Sequence, residues 1–105
     1  MSRSAVIDPR IEQAESIRGR LRIAGWSCRR IDLEYDLNRG SASLAILRAH
    51  EPGERAIADV LGVEPSSLWP ARYDEEGMRL SPQPAANYDR PPTHAQRRKA
   101  LEARS

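Results

Sequence analysis

The chain has 105 residues, of which 39% are hydrophobic and 30% charged, with no Phe, two Trp and three Tyr, enough for one modest core and a tail. A single cysteine, Cys28, excludes an internal disulfide and a cysteine metal cluster, no apolar run nears the about 18 residues of a membrane span, and nothing resembles a signal peptide, so a soluble cytoplasmic protein is expected. The net charge of +2 hides the useful information, which lies in how charge is distributed.

Asp8 is placed to cap a first helix, Pro9 suits its first position, and Ile11, Ala14, Ile17, Leu21 and Ala24 recur at helical spacing. Gly25 ends it. Ser27 then serves as the N-cap of a short second helix, with Cys28, Ile31 and Tyr35 turned inward. Asp36-Leu37-Asn38 breaks the pattern, because Asp and Asn favour turns and tolerate left-handed backbone. A third helix is predicted from Arg39 or Gly40 to His50, buried through Leu44 and Leu47 with Ile46 at the margin, and closed by Pro52-Gly53. A fourth is predicted over Glu54 to Leu61, burying Ile57, Val60 and Leu61, with Gly62 as its stop. Pro65 opens a last helical turn through Leu68 and Trp69, which Pro70 ends.

Beyond Tyr73 the acidic run Asp74-Glu75-Glu76 and the prolines at 82, 84, 91 and 92 predict a linker over Met78 to Pro92. Thr93 to Arg104 reads as a marginal helix carrying Arg97, Arg98, Lys99 and Arg104, mostly disordered on its own. The expected organisation is therefore a compact all-α domain of four to five helices over residues 8–78, then a disordered, Pro-containing basic tail over 79–105.

Two short helices around a tight turn, inside a helical domain, form the helix-turn-helix layout, in which the second helix enters the DNA major groove. Charge agrees with that placement. Ile17 to His50 carries seven Arg against Asp32, Glu34 and Asp36, whereas Glu51 to Met78 carries seven acids against Arg55 and Arg72. Arg79 to Ser105 is basic again. At the start of the third helix, Arg39 is suited to a guanine edge, Ser41 and Ser43 to bases or phosphates, and Ala42 to a thymine methyl. Ser27, Arg29 and Arg30, in the first turn of the second helix, and Arg48 are the expected phosphate contacts.

The stretch Glu54-Arg55-Ala56-Ile57-Ala58-Asp59-Val60-Leu61-Gly62, then Pro65 and Leu68-Trp69-Pro70-Ala71-Arg72-Tyr73, resembles the Ner family of DNA-binding regulators from Mu-like phages. The family pattern has a Gly-Glu helix start, an Ile-Ala pair and a Trp-Pro-Ser-Arg-Tyr ending, and the similarity runs from about Ile17 to Tyr73. It implies a λ-repressor-like helical domain that represses phage promoters without catalysis. Asp36 stands where the family has Gly, and the turn is about one residue longer.

The expected partner is double-stranded DNA, with no cofactor, metal, membrane or small-molecule substrate. Helix-turn-helix proteins usually meet paired half-sites as dimers, and a monomer that pairs only on the duplex is compatible with the lack of a heptad seam. The alternative is a non-catalytic protein-interaction module on the same scaffold, since fold does not fix function. An enzyme is disfavoured: Cys28 is expected to face the core, His50 and His94 are isolated, and no phosphate loop or metal-ligand spacing is present.

Overall fold

In a computed structural model that describes residues 8–103, the first helix starts on the cap its sequence offers, the Asp8 carboxylate accepting the Arg10 amide at 2.9 Å. This helix, α1 (Pro9–Ile23), buries Ala14, Ile17 and Leu21, while Ile11 is half-buried and Ala24 lies outside the buried stripe. The Ser27 hydroxyl then accepts the Arg30 amide at 3.1 Å and opens α2 (Cys28–Glu34). Asp36, at a left-handed φ of 53°, turns the chain after it.

The next helix departs from expectation. α3 (Ser41–Leu47) begins on Gly40 and stops at Leu47, because Arg48 is extended and the Ala49 amide donates to the Asn87 carbonyl at 2.7 Å. Its buried face is Ser41, Ala42, Ala45 and Ile46; Leu44 and Leu47 are only half-buried. The cause is the neighbour. α4 (Glu51–Leu61) starts before Pro52-Gly53 rather than after it, since a proline near a helix start loses no hydrogen bond. A Cβ on Gly53 would stand 2.5 Å from the Ser41 carbonyl oxygen and 2.6 Å from the Ala45 Cβ. Small residues therefore line both sides of a close helix crossing.

Gly53→Ala should consequently overpack that crossing and destabilise the fold by about 1–3 kcal/mol, read as a lower denaturant midpoint. A midpoint equal to that of the wild type would show that α3 and α4 separate freely.

Gly62 ends α4, and a short α5 (Pro65–Leu68) and a 3-10 turn (Pro70–Arg72) follow as the prolines suggest. Trp69, 1% exposed, joins a core built from α1, α2, α3 and α4 with Leu68.

The stretch read as a linker docks instead. Tyr73 and Arg79 pair across the Asp74–Met78 turn, and the Leu80 amide donates to the Arg72 carbonyl at 3.0 Å. Buried Gln83 donates to the carbonyls of Arg72 and Leu80, both at 2.8 Å, and Asn87, in a 3-10 turn (Ala85–Tyr88), donates to the Ala71 carbonyl at 2.9 Å. Proline ends regular helix here, yet the side-chain amides fasten the segment to the bundle, a role that periodicity does not announce.

The final helix, α6 (His94–Ala103), opens on a capping box: the Thr93 hydroxyl accepts the Gln96 amide and the Gln96 side chain accepts the Thr93 amide. The expected end of this helix, Arg104, lies outside the described residues. Among those residues the protein is all-α, with six α-helices and no strand beyond the one bridge, and no helix is long and apolar enough to cross a membrane.

Candidate nucleic-acid interface

A helix of seven residues such as α3 does not hold itself together in water, so whatever positions it must come from outside. Gly40, its N-cap, has no side chain to offer, and the cap is supplied from α2. Asp32, 3% exposed, accepts the Gly40 amide at 2.8 Å and the Ala42 amide at 2.9 Å, satisfying donors that the helix start leaves open. At the other end Arg72 donates through Nη1 to the Ala45 carbonyl at 2.7 Å. An anion at the N-terminus and a cation at the C-terminus both oppose the helix dipole favourably. α3 is thus clamped at both ends by buried charges from other parts of the chain.

Arg72 is held in turn by Glu54, which is fully buried. Glu54 accepts Arg72 Nη1 at 3.2 Å, Arg79 Nε and Nη2 at 3.3 Å each, the Tyr73 hydroxyl at 2.7 Å and the His50 amide at 2.6 Å. Burial pushes its carboxyl up, but hydrogen bonds from Arg79, Tyr73 and the His50 amide, with the charge of Arg72, outweigh this and hold it below its ordinary value. Burial and the bond to Glu54 push the Tyr73 phenol up. A second tie joins α2 to α4, where the Tyr35 hydroxyl donates to Asp59 at 2.5 Å. The helix-turn-helix therefore rests on a rigid polar frame.

Onto this frame the predicted contact residues fall as follows. Arg39 and Ser43 are exposed, beside the start of α3 and on its outer face respectively, and share a groove with Asn38, Leu44, Leu47 and His50. Ser41 and Ala42 are buried, 6% and 0% exposed, although Ser41 still lines that groove. The expected reach of Ala42 to a base edge is corrected, because a fully buried methyl meets no thymine in this conformation, and Ser41 has little surface to offer one. The crossing with α4 takes the Ser41 backbone and the Ala45 methyl.

Ser27 caps α2 from an exposed position. Arg30 lies over the Trp26 ring at 4.0 Å from its centroid and donates to the Gly25 carbonyl at 3.4 Å, so its guanidinium is already oriented. Arg29 is exposed, and neither it nor Arg39 has an ion pair among the described residues. Arg48, half-buried and extended, follows the C-terminal end of α3, whereas Arg39 precedes its start.

Asp32, Glu54, Arg72 and Arg79, which set where α3 stands, were missed as a group by reasoning from sequence. A signal existed for two of them. Asp32 falls in the inward stripe of Cys28, Ile31 and Tyr35, and Glu54 in that of Ile57, Ala58 and Leu61, both at helical spacing. A carboxylate in an apolar stripe asks for a buried partner.

A family model of winged helix-turn-helix DNA-binding domains matches residues 12–84, well over half the chain, from α1 through buried Gln83. No curated protein and no solved structure matches it.

Proposed function

We propose that this chain, which belongs to the winged helix-turn-helix DNA-binding family, is a sequence-specific regulator of transcription that lays α3 in the major groove of double-stranded DNA. The single observation that carries this reading is the presentation of Arg39 and Ser43. Both are exposed beside a short helix whose ends are clamped, and Arg39 has no ion pair among the described residues. A guanidinium so placed is free to donate twice to a guanine edge. Ser27, Arg29, Arg30 and Arg48 would then meet phosphates on either side.

A phage-type repressor is the finer assignment. It rests on the resemblance to Ner-like regulators, whose residues have physical roles here: Gly53 permits the α3–α4 crossing, and Glu54 binds the Arg72-Tyr73 ending. The activity is binding, with no chemical step assigned to any residue.

Selection from a random duplex library at near-physiological salt tests the proposal. An enriched short motif is the expected result, and a repeated half-site would reveal two copies pairing on the duplex. No retention even at low salt would sink the proposal in favour of a protein-interaction module. On the enriched site, Arg39→Ala should cost roughly 1–3 kcal/mol of binding and relax preference at one base. Arg29→Ala should instead weaken all duplexes alike and flatten the salt dependence. Equal losses on every sequence for both variants would remove Arg39 from base reading.

A further inference from the structure

The groove beside α3 has one wall that comes from far down the chain. Arg90 lines it together with Arg39, Ser43, Leu47 and His50, and no carboxylate lines it among the described residues. Arg90 itself is exposed, with no hydrogen bond or ion pair among the described residues.

Its backbone, by contrast, is fastened on both sides. Upstream, Asn87 accepts the Ala49 amide at 2.7 Å and donates to the Ala71 carbonyl at 2.9 Å, and Arg10 donates to the Asp89 carbonyl at 3.4 Å. Downstream, Pro91 is buried. Two cations thus share one groove whose lining holds no carboxylate among the described residues, and Glu15, which lines the neighbouring cleft with Arg90, is paired with Arg18, so the groove favours an anion. The fastened backbone means that little chain entropy is lost when the guanidinium engages.

We propose that Arg90 is a phosphate-binding residue of the DNA interface, presented by the C-terminal segment to the strand that flanks α3. The inference rests on the DNA-binding reading above and adds a contact from outside the helix-turn-helix itself. Arg90 stands beside α3 rather than on it, so it meets the backbone of the duplex and carries no sequence preference.

Anisotropy of a labelled mixed-sequence duplex, titrated with the full chain across a range of salt, reads this directly. The log–log slope of affinity against salt should become shallower by about 0.9 in Arg90→Ala, keep its wild-type value in Arg90→Lys, and be unchanged in Arg98→Ala, whose side chain lies outside the groove. A wild-type slope in Arg90→Ala, or an equal change in Arg98→Ala, would overturn the assignment while leaving DNA binding intact. A wild-type chain that retains no duplex at low salt would instead overturn the DNA-binding reading and this contact with it.

Discussion

Glu54→Gln is expected to destabilise the fold by roughly 3–5 kcal/mol, the range for breaking a buried ion pair by removing one partner. The amide keeps the shape of the side chain but loses its charge, and Arg72 is then buried without a counter-ion beside it. Arg79, at the more open edge of the cluster, can turn toward water, so Arg79→Ala should cost less. Urea unfolding of the wild type and both variants gives the comparison, and a Glu54→Gln loss under about 1 kcal/mol would reduce the cluster to the worth of a surface pair.

The same experiment has a pH signature. Glu54 is held below its ordinary value of 4.5 in the fold, so the unfolded chain binds that proton more readily. Its contribution is present in full above pH 4.5 and is lost as pH falls through the lower, folded value. The gap between wild type and Glu54→Gln should accordingly stay constant toward neutral pH and narrow in acid. A gap that widened in acid would reverse the sign assigned to this carboxylate.

Asp32→Ala is the second large effect. It removes a charged acceptor from two amides at the start of α3, and bonds to charged groups contribute about 1.5–3 kcal/mol. The loss is not only of stability. Without the cap the first turn of α3 frays, and Arg39 and Ser43 lose the fixed geometry on which the proposed reading of base edges depends. Amide hydrogen exchange at Gly40 and Ala42 should therefore accelerate, with duplex affinity falling alongside. Asp32→Asn, which retains one accepting oxygen, should fall between. Unchanged protection at Ala42 in Asp32→Ala would show that packing against α4 alone holds the helix start.

The acidic run from Asp74 to Glu76 shows how local chemistry and long-range chemistry divide the chain. Asp74 accepts the Glu76 and Met78 amides at 2.9 Å each and so builds its own turn, as the composition there suggests. What the turn accomplishes is less local. It brings Arg79 back to Glu54, 25 residues away in sequence, and directs the following segment onto the bundle. A reading by composition sees solvated acids and prolines and stops there.

Much of the helical order was legible for the same reason. Caps at Asp8 and Ser27, the left-handed turn at Asp36, the stop at Gly62 and the short turn after Pro65 are decided by residues within four positions of one another. Three features were not. The buried face of α3 depends on how closely α4 approaches, which a missing Cβ at Gly53 permits and which turns Ser41 and Ala42 away from solvent. The ends of α3 depend on Asp32 and Arg72, the second of them 27 residues from the carbonyl it binds. The groove wall at Arg90 depends on Asn87 finding Ala49 and Ala71.

Sequence by itself determined the number and order of the helices from α1 to α5, and the basic character of the helix-turn-helix, because capping, turn chemistry and charge are local properties. Tertiary structure alone decided which side chains α3 shows to the outside. That helix is too short to set its own ends, and a buried charge takes whatever partner the fold brings within about 3 Å.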